Sequence, residues 1–137
     1  MDLTGPRLIS LTTIDHPSGI ITVAEEGTHS PFAFRRAYFL HGLNSSLQRG
    51  SHGHRKLRQL MIAVSGSFHV QLSGFFGEEN YFLEDPNQGL LIPQMTWRDL
   101  DRFSPGAICL VLASDPYEEA DYIRDYKEFV KLSSTQA

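Results

Sequence analysis

Short apolar or alternating runs, each bounded by glycine, proline, asparagine or aspartate, extend over most of this 137-residue chain. Such runs are typical of β-strands, because alternating side chains fit a pleated, half-buried surface. Strands are predicted at residues 8–11, 20–24, 34–40, 60–64, 68–72, 90–92 and 107–113. Many short strands separated by turn residues indicate a sandwich or a barrel. We therefore predict an all-β protein with a single domain over residues 1–137, a length that suits one core.

The C-terminal segment follows a helical period instead. Apolar side chains recur there at intervals of three and four residues, at Ala120, Ile123, Tyr126 and Val130. Ser114 or Asp115 would cap such a helix, and Pro116 suits its first turn. The pattern predicts one amphipathic helix over residues 116–132, packed on the outside of the β-structure through its aromatic side chains.

Composition and charge exclude several classes of partner. A net charge of −4, with no recurring basic stripe, argues against nucleic-acid binding. The densest cationic stretch, residues 49–58, is short and suits a small phosphate ligand better than a duplex. No apolar run approaches the roughly 20 residues of a membrane span, and the N-terminus lacks the regions of a signal peptide. Cys109 is the single cysteine, which favours a reducing cytoplasm.

The segment Arg49-Gly50-Ser51-His52-Gly53-His54 contains the most informative residues. Two histidines one residue apart on an extended chain point to the same side, because side chains alternate across a strand. Three roles are open to this pair: metal ligands, hydrogen-bonded wall residues, or proton carriers. An imidazole titrates near neutral pH, so it can both take and return a proton.

The spacing from His52 through His54 to Gln59 and Gly66 resembles the first motif of the cupin barrels, in which two His and a Glu hold a metal. Here Gln59 stands at the Glu position. A second motif should supply another His after Pro93, but residues 94–98 contain none. Because two of four ligands are missing, we predict no metal and favour proton transfer.

Further candidates for the site come from residue type and spacing. Arg36 and Tyr38 share one face of a predicted strand, which either lies at an edge or lines a ligand cavity. Arg36 and Arg49 are candidates for binding a diphosphate, because a guanidinium presents several hydrogen-bond donors in a fixed planar geometry. Trp97 lies in the region of the missing ligand, where it would fill the metal space and wall the pocket.

The chain resembles the sugar 3,4-ketoisomerases of the WxcM-like cupin family. The resemblance is carried by residues 36–39, 49–60, 93–97, 111–115 and 121–129, and it extends from about Ile14 to Lys131. It implies a small cupin-type jelly-roll barrel, a homodimer and no metal or organic cofactor. The implied reaction converts TDP-4-keto-6-deoxyglucose to a 3-keto isomer, in the synthesis of deoxyamino sugars for surface glycans. It also implies that His52 and His54 lie at the sugar, with Tyr38 and Arg49 nearby.

The mechanism expected of such a site requires a base for the hydrogen on carbon 3 and donors for the enediolate oxygens. His52 or His54 would be the base, the other histidine would handle the oxygen protons, and Tyr38 and Gln59 would donate. The sequence does not distinguish the two histidines. The loop containing His16, Pro17 and Ser18 departs from the family, so the configuration of the product is open.

Three other functions are considered. A nucleotide-sugar 3,5-epimerase shares the barrel but relies on a His–Asp pair, and no Asp partner is identified beside either histidine of the pair. A non-catalytic cupin could bind a nucleotide sugar without consuming it. A metal-dependent cupin enzyme would need the ligands that are missing here.

Overall fold

The computed structural model describes residues 4–136, and within them the chain forms twelve strands, one 3₁₀ turn and one helix. The strands are β1 Arg7–Ser10, β2 Thr12–His16, β3 Gly19–Val23, β4 Arg36–Leu40, β5 Arg49–His54, β6 Gln59–Ser65, β7 Phe68–Gly74, β8 Gly77–Leu83, β9 Gln88–Ile92, β10 Thr96–Asp101, β11 Ile108–Ala113 and β12 Tyr122–Ile123. The 3₁₀ turn is Glu119–Asp121, and the helix α1 is Tyr126–Gln136. None of the described helices is long and apolar enough to span a bilayer.

Two five-stranded antiparallel sheets enclose the core. One has the strand order β1-β9-β6-β11-β4 and the other β12-β5-β10-β7-β8, while β2 and β3 form a separate hairpin. The all-β prediction is confirmed. The two large sheets pack as a jelly-roll sandwich and do not join into one closed barrel. Apolar side chains from both sheets meet between them, including Phe68, Val70, Leu90, Leu100 and Val111.

The predicted C-terminal helix exists, but it begins at Tyr126 and not at Pro116. The start was wrong because the chain first makes the 3₁₀ turn and then pairs Tyr122 and Ile123 with β5. Asp125 begins the helix, since its side chain accepts a hydrogen bond of 3.0 Å from the N–H of Lys127. The apolar spacing that suggested a longer helix therefore combines residues of a strand and a helix.

Helix α1 packs on the outer face of the second sheet, over β5 and β10. Phe129 is buried there with Trp97 and Ile123. Gly53 makes this packing possible, because a Cβ at that position would lie 2.8 Å from a ring carbon of Phe129. The glycine between the two histidines of β5 thus leaves room for the helix on one face of the strand, while His52 and His54 occupy the other.

Candidate active site

A cavity of about 400 Å³ opens between the two sheets. Polar side chains from β4, β5 and β10 line it together with apolar side chains from the core and two residues of the C-terminal segment. Its lining consists of Arg36, Ala37, Tyr38, Leu40, Arg49, Gly50, His52, Met61, Arg98, Leu100, Val111, Tyr122 and Arg124. Four of the predicted site residues, Arg36, Tyr38, Arg49 and His52, therefore share one cavity.

A β-bulge determines which side chains of β5 face this cavity. Arg98 of β10 pairs with His52, but Asp99 pairs with Gly50, so Ser51 is the extra residue. Gly50 and Ser51 both have positive φ, 88° and 56°. A Cβ at Gly50 would also lie only 3.0 Å from the carbonyl oxygen of Arg98. The bulge reverses the alternation of side chains and brings Arg49 to the same face as His52.

His52 presents a base to the cavity. Its Nδ1 lies 3.1 Å from the carbonyl oxygen of Gly50, and since a carbonyl can only accept, Nδ1 carries the proton. Nε2 of the neutral ring is then a free lone pair. Burial, and after it the charge of the Arg98 guanidinium, lowers the pKa of His52 from 6.5 to about 4. The imidazole is consequently neutral, and able to accept a proton, at neutral pH.

His54 lies deeper in the wall than His52. It is 1% exposed and is not among the residues that line the cavity. Its Nδ1 is 3.0 Å from Oδ2 of Asp121, whereas its buried Nε2 has no hydrogen-bond partner among the described residues. The ring contacts that of Tyr122, 4.4 Å between centroids, and that of His52, 4.9 Å. Burial, followed by the charge of Arg98, lowers the pKa of His54.

The prediction that neither histidine has an acidic partner was wrong, because His54 pairs with Asp121. It follows His54 by 67 residues, so sequence proximity does not connect the two. The pairing of Tyr122 with His54 brings the 3₁₀ turn against β5. Nothing in the local sequence marked this contact, because strand β12 is only two residues long.

Tyr38, Gln59 and Arg98 form a hydrogen-bonded chain behind the cavity. The side-chain N–H of Gln59 donates to the Tyr38 hydroxyl at 2.9 Å, and its Oε1 accepts from Arg98. Gln59 is buried and reaches the cavity only through these two partners. Because Tyr38 accepts from Gln59, its own hydroxyl proton remains available to a ligand. Burial raises the pKa of Tyr38, so the phenol keeps its proton near neutral pH.

Arg98 is a site residue that the sequence reasoning missed. It is 2% exposed, lies opposite His52 on the neighbouring strand, and forms no ion pair among residues 4–134. Burial lowers the pKa of its guanidinium to about 10, so the group is still charged at neutral pH. The sequence did contain a signal for Arg98. If Trp97 is assigned to the outer face of a strand, alternation puts Thr96, Arg98 and Leu100 on the inner face.

Trp97 does not line the cavity, contrary to the prediction. It pairs with Gly53 on the outer face of the sheet and packs against Tyr126 and Phe129 of α1. Its indole N–H donates to Asp99 at 3.1 Å. The prediction failed because it placed Trp97 by its position after the second motif and ignored the parity of the strand.

Cationic and aromatic groups surround the mouth of the cavity. The Arg36 guanidinium lies 5.3 Å from the ring centroid of Tyr38 and 5.7 Å from that of Tyr117. The Arg124 guanidinium lies 4.3 Å from the ring of Tyr122. Arg49 adds a third cation, whose side chain is exposed. Arg124 also pairs with Glu119, at 2.9 Å between nitrogen and oxygen. Arg36 and Arg49, which form no ion pair among the described residues, therefore supply the positive charge that attracts an anionic ligand to the opening.

The loop with the unusual residues lies at the tip of the β2–β3 hairpin. His16 there accepts hydrogen bonds from Ser18 through Nδ1, at 3.1 Å from the backbone nitrogen. The turn is exposed, and its residues do not contribute to the cavity of this chain. Within residues 4–134, no three His, Cys, Asp or Glu side chains gather in a way that could hold a metal ion.

Comparisons with known proteins place this site in context. The chain is 33% identical over 125 residues to a TDP-4-oxo-6-deoxy-alpha-D-glucose-3,4-oxoisomerase from Aneurinibacillus thermoaerophilus, a match that covers 91% of this chain and 90% of the relative. It is 33% identical to the sugar 3,4-ketoisomerase QdtA from Thermoanaerobacterium thermosaccharolyticum, solved with TDP, with 98% of each chain covered and a TM-score of 0.92.

Two other solved structures extend the comparison. The TDP-quinovose 3,4-ketoisomerase WlaRB from Campylobacter jejuni is 35% identical, covers 94% of this chain and 99% of its own, and has a TM-score of 0.89. The 4-keto-6-deoxy sugar epimerase NovW from Streptomyces spheroides is only 14% identical, over 89% of this chain and 69% of its own, with a TM-score of 0.74. At that identity, the likeness to the epimerase concerns the fold alone.

A jelly-roll sandwich with neutral imidazole, phenol and guanidinium groups around one cavity defines a cupin-type protein. The model of the family described as FdtA, WxcM-like, C-terminal matches residues 4–134. The chain belongs to this family, and the resemblance to its 3,4-ketoisomerases is confirmed.

Proposed function

We propose that this protein is an isomerase that converts a TDP-linked 4-keto-6-deoxyhexose to its 3-keto isomer in deoxyamino-sugar synthesis. The observation that carries the proposal is His52: a neutral imidazole on the cavity wall, opposite the buried charge of Arg98. A variant of QdtA with one histidine replaced by asparagine was solved with TDP-4-keto-6-deoxyglucose, which supports this substrate class.

His52 is the base for carbon in this proposal. The hydrogen on carbon 3 is acidified by the adjacent carbonyl at carbon 4, and Nε2 of His52 removes it. The resulting imidazolium returns the proton to carbon 4 of the enediolate. The preference for His52 over His54 rests on position, because His52 lines the cavity and His54 is buried behind it.

Tyr38 and His54 handle the oxygen protons. Tyr38, whose hydroxyl proton is not used by Gln59, donates to the oxygen at carbon 4 as that carbonyl becomes a hydroxyl. Nε2 of His54 accepts the proton that leaves the hydroxyl at carbon 3. This proton returns to Tyr38 before the next turnover, so no net proton is gained or lost. The charge of Arg98 stabilises the enediolate, a role of the kind that oriented donors play in closed sites.

The nucleotide would bind at the mouth of the cavity. Arg36, Arg49 and Arg124 line the cavity, and in this proposal they contact the diphosphate. The exposed ring of Tyr117 offers a stacking surface for the base. Binding energy from these remote contacts positions the small reacting centre.

The decisive experiment is a product assay. We would incubate the protein with TDP-4-keto-6-deoxyglucose, trap the 3-keto product with a 3-aminotransferase, and determine the configuration at carbon 4 by NMR. A 3-amino sugar that requires this protein supports the proposal and also decides the open question of stereochemistry. If the substrate binds and returns unchanged, the protein is a non-catalytic nucleotide-sugar-binding cupin.

A 3,5-epimerase is the second candidate, and the His54–Asp121 pair favours it. Epimerisation exchanges the hydrogen at carbon 5, whereas isomerisation between carbons 3 and 4 does not. The same incubation in D₂O therefore separates the two functions. Deuterium at carbon 5 of the recovered sugar would show that the protein is an epimerase and not the proposed isomerase.

The site chemistry also predicts independence from metal. Gln59 stands where a cupin ligand would be, and its amide is engaged with Tyr38 and Arg98. The guanidinium of Arg98 would repel a cation at this place. We expect activity to be unchanged after dialysis against EDTA. Recovery of lost activity with one added metal would contradict this and favour a metal-dependent cupin.

The protein is further proposed to act as a cytoplasmic homodimer. Ile14, Ile20 and Ile21 of the β2–β3 hairpin are 51%, 66% and 59% exposed. An apolar depression beside the hairpin is lined by Leu110 and Leu112, among others. A second copy would cover both surfaces, and the buried free thiol of Cys109 suits a reducing compartment. Analytical ultracentrifugation tests the dimer, and Ile21→Glu should shift it toward monomer.

A further inference from the structure

His54 and Asp121 form the most deeply buried of the acid–base pairs in the described part of the chain, with side chains 1% and 6% exposed. Oδ2 of Asp121 lies 3.0 Å from Nδ1 of His54. A carboxylate can only accept a hydrogen bond, so the proton lies on Nδ1. A neutral His54 is therefore held as the Nδ1–H tautomer, and its Nε2 is a lone pair.

The carboxylate is itself fixed by its surroundings. Oδ1 of Asp121 accepts the backbone N–H of Lys56 at 2.7 Å. The backbone carbonyl of Asp121 accepts the N–H of Arg55 at 3.0 Å. Each carboxylate oxygen thus has one donor from β5 or from the residues that directly follow it. The acid cannot turn away from His54 without breaking these contacts.

Nε2 of His54 is buried and has no hydrogen-bond partner among the described residues. A buried polar atom without a partner has a cost in stability, unless a ligand supplies the partner. The geometry points to Asp121 as a positioning residue: it holds His54 in the tautomer whose Nε2 accepts a proton from the hydroxyl of the bound sugar. This inference rests on the proposed function, and it adds Asp121 to a site in which sequence reasoning found no acid.

The first test reads the tautomer directly in the wild-type protein and needs no substrate. Two-bond ¹H–¹⁵N NMR of the full-length protein distinguishes protonated from unprotonated ring nitrogens, and the His54 signals are assigned by their absence in His54→Asn. We expect protonated Nδ1 and unprotonated Nε2 at pH 7. A ring protonated on Nε2, alone or on both nitrogens, would overturn the inference.

The second test uses Asp121→Asn. The amide oxygen can still accept from Lys56, but its NH₂ group now donates to Nδ1, so the proton should move to Nε2. We expect this change in the NMR signals, a loss of turnover of roughly 10²- to 10⁴-fold and an unchanged affinity for TDP. Glu118→Gln, in the exposed pair with Lys56, is the matched control and should keep the wild-type values.

The outcomes separate this inference from the proposed function. If Asp121→Asn retains the wild-type tautomer or the wild-type turnover, Asp121 is not a positioning residue. If the variant does not fold, the wild-type NMR signals alone decide the tautomer. If the wild-type enzyme forms no 3-keto product but His54 has the expected tautomer, the proposed reaction fails while Asp121 still orients the ring.

Discussion

Arg98 introduces a positive charge into the protein interior without an ion-pair partner in the described part of the chain. Among the described residues, its guanidinium bonds to two neutral groups, the side chain of Gln59 and the carbonyl of Thr96 at 2.8 Å. A buried charge without a counter-charge is costly to fold. The same charge lowers the pKa of His52, and in the proposed reaction it stabilises the enediolate, so a group that is costly to fold contributes to catalysis.

Replacing His52 with asparagine should abolish most of the activity while preserving the binding of the nucleotide. We expect turnover to fall by about 10²-fold or more, the usual contribution of a general base, with the affinity for TDP nearly unchanged. The rate is measured with the aminotransferase-coupled assay and the affinity by calorimetry. His69→Asn is the control, because His69 lies on the outer face of its sheet with Asp101. Near-normal turnover in His52→Asn would eliminate His52 as the base.

Replacing Gln59 with glutamate tests the charge of Arg98. The new carboxylate would be almost isosteric with the amide and would pair with the guanidinium. We expect turnover to fall about tenfold or more, because the neutralised cation no longer stabilises the enediolate. The pKa of His52 should rise from about 4 toward 6.5, since Arg98 is the second cause of its depression. The acid limb of kcat/KM against pH reports this shift.

The exposed Gln88→Glu adds the same charge on β9, away from the cavity, and serves as the control. It should leave both turnover and the acid limb unchanged. An acid limb that stays at the wild-type pH in Gln59→Glu would show that Arg98 does not act on His52.

At the scale of the element, strand β5 serves two surfaces at once. Its inner face carries His52 and His54 toward the core, and its outer face receives Phe129 of α1 over Gly53. The helix also covers β12, whose pairing with β5 brings Asp121 to His54. The packing of α1 therefore supports the geometry of the site from behind.

Gly53→Ala should destabilise the protein by about 1–3 kcal/mol, because the added methyl group overpacks this contact. A Cβ there would lie 2.8 and 2.9 Å from two ring carbons of Phe129. Urea denaturation measures the effect. At Gly5 the nearest atom to an added Cβ is 3.4 Å away, so Gly5→Ala should change stability by less than about 0.5 kcal/mol.

Phe129→Leu supplies the complementary test. This substitution alone creates space and destabilises, but it should reduce the cost of Gly53→Ala in the double variant. The two free-energy changes should therefore not add. Strict additivity would mean that the ring of Phe129 is not the group that excludes a side chain at position 53.

The elements that the sequence predicted correctly are those with strong apolar patterns. The apolar strands β6, β7, β9 and β11 follow from the runs of apolar and alternating residues in the sequence. Strand β10 was missed because its sequence, TWRDLD, is polar, although Arg98 and Leu100 are buried. Trp97 was assigned to the wrong face for the same reason, since an unrecognised strand has no assigned parity.

The sequence likewise predicted only part of the candidate site: it identified residues that local patterns mark and missed those that depend on contacts between distant segments. Motif spacing identified His52, and a shared strand face identified Tyr38. The contact of Asp121 with His54 could not be found, because it depends on pairing between segments 67 residues apart. The bulge at Ser51, which turns Arg49 toward the cavity, depends on backbone geometry that a simple alternation rule does not include.

At the scale of the whole molecule, the neutral histidines of the site make stability dependent on pH. In the unfolded chain, each ring binds a proton below its ordinary pKa of 6.5. In the folded protein, the pKa of His52 is about 4, so the unfolded state binds more protons between these values. Stability is therefore complete above pH 6.5 and declines as the pH falls toward 4.

Replacing His52 should consequently make the protein less sensitive to acid. The free energy of unfolding of the wild type should lose up to about 1.4 kcal/mol per pH unit through His52 below pH 6.5, and His52→Asn should lack this component. Because His52 is only half-buried, water still stabilises part of its charge, and the pH range over which this stability is lost is narrower. Urea denaturation at pH 7, 6 and 5 gives the slopes, and His41→Asn, at an exposed ring, should retain the wild-type slope. If His52→Asn and the wild type lose stability in parallel, the imidazole of His52 is not held neutral by the fold, and the base in the proposed reaction would have to be assigned elsewhere.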